Sequence, residues 1–495
     1  MIRTLLIFLG LSLGLICANS QENVVIPSPK EYRSTGSRFL ITDSFSVSVS
    51  APENSRIHTA VERMLRRIKG RTGLFINQYK ASGKVTKACM QIIADKTAEN
   101  KLGEDESYSL TIDSNHIFLK SAMDLGALHG IETLLQLLQN DSSGYYFPAC
   151  IINDSPRFAW RGLLIDVGRH FIPIDVIKHN IDGMAAVKMN VLHLHLTEDQ
   201  GFRIECKTFP KLHQLGSEGQ YFTQEQIKDI IAYADERGIR VLPEFDIPGH
   251  TSSWFAGYPE LASGSGPYSV EDKFGVLLPA MNPANESTYQ FLDTFFKEMT
   301  ALFPDEYMHI GGDENNGKEW DANPAIQEFK LKNNLPDNNA LQAYFNRRIL
   351  DILTKYGKKM VGWDEIMQPQ LPKNILIHSW RKDGLIQAIK NGFPVILSKG
   401  YYIDLMQPAE VYYKTDPLPD SLALTEDQKK LVLGGEATMW SEMVTEETID
   451  SRIWPRTIAI AERLWSPANI TDVASMYKRL DRVSIQLEEL GLAHE

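Results

Sequence analysis

The sequence predicts an α/β protein, a (β/α)8 barrel of the TIM type preceded by a small α+β domain. Three observations carry that prediction. From Arg157 onward, eight short apolar stretches alternate with longer, mostly helical ones, the number and size expected of eight βα units. Each apolar stretch ends in acidic, basic or aromatic residues. A barrel gathers all eight of those ends at one mouth, whereas an open sheet spreads them over two edges. Ahead of Arg157 the pattern is different, with period-two alternation followed by one helical face.

Taken in order, residues 1–20 read as a secretory signal. Arg3 precedes the apolar run Leu5 to Ile16, and Ala18-Asn19-Ser20 offers a small-residue cleavage site. That run is too short to span a bilayer and no later stretch is long and apolar enough, so a secreted or periplasmic protein without a membrane span is expected. Residues 21–155 make the α+β domain. Residues 39–49 and 107–121 alternate apolar and polar side chains, with Asp113-Ser114-Asn115 as a turn between two strands. Residues 122–139 then place Leu125, Leu128, Ile131, Leu134, Leu135 and Leu138 on one helical face. Pro148 and Pro156 bracket the boundary, and residues 156–495 make the barrel. Its strands are expected at 162–166, 191–196, 240–245, 307–311, 359–363, 375–379, 394–398 and 433–440, with helices such as 224–236, 339–356 and 472–490 between or after them.

Composition narrows the function. The 495 residues are 43% hydrophobic and 23% charged, with a net charge of −12, or −13 once Arg3 leaves with the signal. Such a surface repels phosphate backbones and no basic run interrupts it, which argues against a nucleic-acid partner. Cys89, Cys150 and Cys206 remain after cleavage. Three widely spaced cysteines form neither a zinc signature nor a disulfide scaffold, and at most one bridge. Asn140-Asp-Ser and Asn469-Ile-Thr match the glycosylation sequon.

The chemistry is densest at His309-Ile-Gly-Gly-Asp313-Glu314. Neighbouring side chains on a strand point to opposite faces, so two adjacent acids share a pocket only if the chain turns. Gly311-Gly312 supplies the turn. Two carboxylates held together suit general acid/base work, because one ionised group raises the other's pKa. Trp363, Trp380 and Trp440 stand at three further strand ends, a placement that fits core packing and a ligand wall equally well. His193-Leu-His195 admits two readings. Period-two histidines facing a barrel interior can bind a metal, with His250, His309 and His378 as further ligands. They can also be interior histidines hydrogen-bonded to acids, which is the preferred reading because no metal-ligand spacing accompanies them. Arg169 is placed to pair with a local acid or to fork onto sugar hydroxyls.

These segments together resemble glycoside hydrolase family 20, the β-N-acetylhexosaminidases, from about Lys30 to the C-terminus. The motifs run Arg161-Gly…Asp166-x-x-Arg169-His170, Asn190-Val-Leu-His193-Leu-His195-Leu-Thr-Glu198-Asp199-Gln200, Glu244-Phe-Asp246-x-Pro-Gly-His250, His309-Ile-Gly-Gly-Asp313-Glu314, Gly362-Trp363-Asp364-Glu365, Tyr402-Ile-Asp404 and Trp440-Ser-Glu442. The resemblance implies release of a terminal β-linked N-acetylhexosamine from oligosaccharides or glycoconjugates. It implies no cofactor, no metal and no protein nucleophile, since the substrate's own acetamido oxygen attacks C1. Glu314 would be the acid/base. Asp313 would hold the acetamido N–H, Tyr402 would donate to its oxygen, and Trp363, Trp380 and Trp440 would wall in its methyl. Arg169, Glu442 and Asp404 would grip ring hydroxyls. His250, bonded to an acid after the second strand, would orient Glu314. That acid is Glu198, where many members have aspartate, or Asp199. The like charge of Asp313 and burial are expected to raise the pKa of Glu314, with a bell-shaped rate profile peaking at about pH 5–6.

Overall fold

Alternating burial builds the N-terminal sheet. Every second residue of Tyr108–Ile112 is buried, and the turn into Ile117–Met123 is closed by Asp113, whose Oδ1 accepts the backbone N–H groups of Asn115 and His116, each at 2.7 Å. The computed structural model describes residues 23–76 and 88–493; the expected signal over 1–20 lies outside them. The strands order as Glu31–Leu40, Gly144–Asp154, Tyr108–Ile112, Ile117–Met123, Met90–Lys96 and Val47–Ser50. Helices Ile57–Thr72 and Asp124–Leu137 share a hydrophobic core with them through Met64, Leu65, Ile131 and Leu134.

Residues 39–49 are not one strand. Phe39, Ile41, Phe45, Val47 and Val49 are all buried, which is the alternation visible in the sequence. The chain nonetheless turns between Leu40 and Val47, where Phe45 N–H donates to the Thr42 carbonyl at 3.0 Å, and the two halves lie at opposite edges of the sheet. Thr42, Asp43 and Ser44 are the turn-forming types that divide them.

All eight expected barrel strands form. They are β1 (Trp160–Asp166), β2 (Val191–His195), β3 (Arg240–Glu244), β4 (Tyr307–His309), β5 (Lys359–Trp363), β6 (Leu376–Ser379), β7 (Val395–Leu397) and β8 (Val432–Met439), closed into a ring in which β8 pairs β1. Every pairing is parallel. The first three strands are buried along their whole length, as strands covered on both faces must be. Three of the helices between the barrel strands start on side-chain caps: Thr223 forms a capping box ahead of Gln224–Asp235, and Asn285 and Asp337 cap Glu286–Leu302 and Asn338–Lys355. Parallel register then aligns polar residues across the barrel. Asp166 lies opposite His195, His195 opposite Glu244, and Glu244 opposite His309.

The N-terminal sheet meets the barrel through buried charge. Lys188, fully buried, places Nζ 3.0 Å from Asp154 Oδ2 and 3.1 Å from the Tyr108 hydroxyl. Arg161 pairs with Glu106, which also sits 2.8 Å from His129 Nε2. Burial alone would raise the Glu106 carboxyl, but Arg161 and His129 pull it down to about 2. Cys89, Cys150 and Cys206 are free thiols. No helix among the described residues is long and apolar enough to cross a membrane.

Candidate active site

The turn after β4 is built as the sequence predicts. Gly311 and Gly312 take φ values of 65° and 93°, open to glycine at no steric cost. Gly311 has a second reason to be glycine, because a Cβ there would lie 1.8 Å from Asp246 Oδ1. That same oxygen accepts the Gly312 N–H at 3.1 Å. The chain emerges with Asp313 and Glu314 side by side at the mouth. Glu314 (φ 49°) and His250 (φ 55°) are themselves left-handed, a strain of about 1–3 kcal/mol each that a folded protein retains mostly at functional positions.

The two acids stand in different surroundings. Glu314 Oε2 lies 3.7 Å from His250 Nε2, and His250 Nδ1 lies 2.6 Å from Glu198 Oε1. Asp199 Oδ2 is 3.7 Å from the same ring nitrogen, and its Oδ1 instead accepts the N–H and hydroxyl of Ser252 at 2.8 and 2.6 Å. Glu198 is therefore the partner of His250. Its longer side chain also brings Oε2 to 3.1 Å from His195 Nε2 and 3.5 Å from Arg169 Nη2. The expectation for Glu314 is corrected here. The close His250 ring holds its carboxyl below the usual range, outweighing burial. Burial raises Asp313 instead, to about 6, with Glu244 and Glu314 adding and His250 opposing. Asp246, behind it, is raised well above the carboxylate range by burial and by Asp313.

Around these acids the remaining predicted residues form most of a ring. Arg169 Nη1 pairs with Asp166 Oδ2 at 3.1 Å, Nε lies 3.6 Å from Glu442 Oε1, and the guanidinium stands 5.0 Å over the Trp440 ring. Asp404 is pushed up to about 7 by burial and then by Glu442. The Tyr402 ring is 6.2 Å from Trp440, and its hydroxyl is raised by burial and then by Asp313. Trp363 and Trp440 meet at 5.6 Å. Trp363 is fully buried, donates Nε1–H to Glu244 at 2.9 Å and stacks on His378 at 4.1 Å. Trp380 has no ring contact with either among the described residues and donates to Glu365 Oε2 at 3.0 Å.

Glu365, Asp246 and Glu244 were not among the predicted site residues. Glu365 is raised to about 8 by burial and then by Asp313. Its signal was its place in Trp363-Asp364-Glu365 at the end of β5. The mouth also holds five buried polar atoms with no hydrogen-bond partner among the described residues, namely Arg169 Nε, His250 Nε2, Asp313 Oδ1, Asp404 Oδ1 and Trp440 Nε1. Buried polar atoms are nearly always satisfied, so orphans grouped at the C-terminal ends of the strands fit a site for a ligand rich in hydroxyl and amide groups.

The histidines of β2 take the acid-bonded arrangement. His195 bonds Glu244 at 2.7 Å and Glu198 at 3.1 Å through its two nitrogens, and His193 bonds Glu436 at 2.9 Å through Nδ1, while its Nε2 lies 3.1 Å from Glu244 without hydrogen-bond geometry. Trios such as His193, Glu244 and His309 do bring ligand atoms within 4.8 Å of one another, the spacing a cation site would use. Their carboxylates, however, already take imidazole and indole N–H groups: Glu244 from Trp363 and His195, Glu436 from Trp160 at 2.6 Å. No feature of the arrangement favours the metal reading over this one.

Residues 158–468 match the catalytic domain of glycosyl hydrolase family 20, and residues 22–155 match its domain 2. The chain is 39% identical over 405 residues to the human beta-hexosaminidase subunit beta, covering 79% of this chain and 72% of that one. Among solved structures, the chitobiase of Flavobacterium johnsoniae superposes with a TM-score of 0.93 at 50% identity, covering 95% of this chain and 73% of that one. A Vibrio harveyi family 20 exo-beta-N-acetylglucosaminidase, solved with N-acetylglucosamine, superposes with a TM-score of 0.82 at 28% identity, covering 96% and 78%.

Proposed function

The chain belongs to glycosyl hydrolase family 20 and is a β-N-acetylhexosaminidase, and we propose that it works as an exo-acting, retaining enzyme whose nucleophile is the substrate's own acetamido oxygen. The sugar enters with its 2-acetamido group against Asp313. Asp313 Oδ1, buried and unpartnered, accepts the acetamido N–H, and Tyr402 donates to the acetamido oxygen. Trp363, Trp380 and Trp440 enclose the methyl. That oxygen attacks C1, the C1–O bond to the leaving group breaks, and the leaving oxygen takes the proton of Glu314. Asp313 stabilises the positive charge of the resulting oxazolinium ring. Glu314, now a carboxylate, takes a proton from water, which opens the ring at C1 with the original configuration. Arg169, Asp404 and Glu442 bind the outer hydroxyls, and Glu198 with His250 orients Glu314.

A sugar in the mouth shields Glu314 from water, and burial of that kind raises a carboxyl, offsetting the pull of His250. The observation that carries the reading is the pair of adjacent carboxyls in opposed surroundings, Glu314 against an imidazole and Asp313 in a buried niche with a free acceptor. Separated environments of this kind divide acid/base from stabilising work.

The test compares aryl β-N-acetylglucosaminide with aryl β-glucoside, follows the first-formed anomer by NMR, and repeats the assay with chelator and with Glu314→Gln. The expected result is hydrolysis of the N-acetylated substrate alone, with a β-configured product, indifference to chelator, and a loss of about 10²- to 10⁴-fold in the variant. Rapid glucoside hydrolysis or an α product would overturn the proposal, and loss of activity on chelation would return the metal reading through His193 and His195.

A further inference from the structure

The acid/base does not end its contacts at Glu198. Glu198 Oε2 lies 3.1 Å from His195 Nε2, and the other nitrogen of His195 lies 2.7 Å from Glu244 Oε2. Glu244 Oε2 is in turn 3.1 Å from His193 Nε2, whose Nδ1 is 2.9 Å from Glu436 Oε2. Glu436 Oε1 takes the indole N–H of Trp160 at 2.6 Å, at the N-terminal end of β1. Carboxylate and imidazole thus alternate from deep in the barrel to Glu314, and every side chain before Glu314 is buried. Strand pairing holds the upper links, since His195 lies opposite both Asp166 and Glu244.

Glu244 is the branch point. Its second oxygen takes Trp363 Nε1–H at 2.9 Å and lies 3.0 Å from His309 Nδ1. His309 Nδ1 also accepts the N–H of Gly311, at 3.0 Å, in the turn that presents Asp313 and Glu314. One carboxylate therefore faces His195, two contacts behind His250, a tryptophan of the pocket wall and the histidine under the turn that carries Asp313 and Glu314. Charge supports the pattern. His193 is raised to about 9 and His195 and His250 well above the usual imidazole range, in each case against burial and by the flanking carboxylates.

We infer that Glu244 is a positioning residue for the proton of Glu314, acting through His195, Glu198 and His250. The inference rests on the reading of Glu314 as proton donor. A buried carboxylate that fixes the tautomer and tilt of a working imidazole is a large lever on acid/base rates. At metal sites the loss of an outer hydrogen-bonding partner commonly costs about 10- to 100-fold, and that scale is expected of Glu244, four contacts behind Glu314.

Leaving groups separate this role from a merely structural one. A 2,4-dinitrophenolate departs without a proton, whereas the alkoxide of a β-1,4-linked N-acetylglucosamine disaccharide needs one. In Glu244→Gln, kcat/KM is expected to fall about 10- to 100-fold on the disaccharide and less than about threefold on the 2,4-dinitrophenyl N-acetylglucosaminide. Equal losses on both substrates, or none, would overturn the inference. Glu314→Gln run in parallel separates the two readings. If it shows no leaving-group dependence, the proton-donor reading fails; if it does and Glu244→Gln does not, only the role of Glu244 fails. Should Glu244→Gln not fold, His195→Asn must show the same split. Should neither fold, ¹⁵N spectra of the wild-type histidines must show the His195 ring doubly protonated at pH 7, and a neutral ring there would overturn the chain of contacts.

Discussion

Two buried charge clusters lie at opposite ends of the barrel, and they are finished differently. At the junction with the N-terminal sheet, Arg161 divides its guanidinium between Glu106 and the carbonyls of Lys188 and Phe158, and Lys188 meets Asp154 and Tyr108. None of these side chains has an orphaned polar atom, and Glu106 is held down at about 2. At the mouth, five buried atoms are orphaned, and burial carries Asp313, Asp404 and Glu365 up to about 6, 7 and 8. Burial acts on both clusters alike. What differs is whether the protein supplies the partner, and the contrast separates a cluster that secures the fold from one to which the proposed function gives binding and reaction.

Three measurements test that contrast. The largest effect is expected from Glu106→Gln, which leaves Arg161 buried without its countercharge. Chemical denaturation should show a loss of about 3–5 kcal/mol, with kcat of the folded fraction unchanged. The same carboxyl gives the sign of a pH effect. A depressed acid stabilises above its unfolded value and loses that contribution as pH falls towards about 2, so the variant should lack part of the wild type's acid-unfolding transition. A slower enzyme of undiminished stability would erase the distinction between the two clusters. Asp313→Asn should do the reverse, with kcat lower by about 10²- to 10³-fold, the scale of one electrostatic stabiliser, and stability equal to or above wild type because a raised acid is relieved.

The smallest effect is in the pH profile of kcat/KM. The proposed mechanism requires Asp313 ionised and Glu314 protonated, yet in the free site Asp313 holds its proton to about 6 and Glu314 releases its own at lower pH. Activity should therefore fall both as pH drops, when Asp313 is neutral, and as pH rises, when both are ionised. The maximum should lie below about pH 6, and the two limbs belong to the pair rather than to either residue. A profile flat through pH 8 would remove the acid/base assignment.

Most of the barrel was legible because each strand carries its own period and turn residues, as 359–363 and 191–196 do. Over residues 39–49 burial alternates on both sides of a turn, so the alternation alone does not show that Thr42, Asp43 and Ser44 divide two strands. The mouth was legible wherever a residue stands at a strand end, which covers Arg169, Asp313, Glu314, Tyr402 and Trp440. Relations between strands were not. The pKa of Glu314 follows from His250, which arrives from β3, and the choice of Glu198 over Asp199 follows from a difference between 2.6 and 3.7 Å. Glu244 stands in the motif around His250, but its role is not legible there, because its partners sit on β2, β4 and β5 and only the register brings them together.

Lys188 has a consequence for anyone wishing to shrink this protein. Its ammonium lies in the seam under Trp465, with Nζ 4.7 Å from the ring centroid, and its countercharge, Asp154, belongs to the N-terminal sheet. A minimal catalyst beginning at the first barrel strand would strip that ammonium and the neighbouring guanidinium of their anions and leave an indole bare. Trimming should therefore begin at exposed loops, with the small sheet retained as the floor on which the larger body stands.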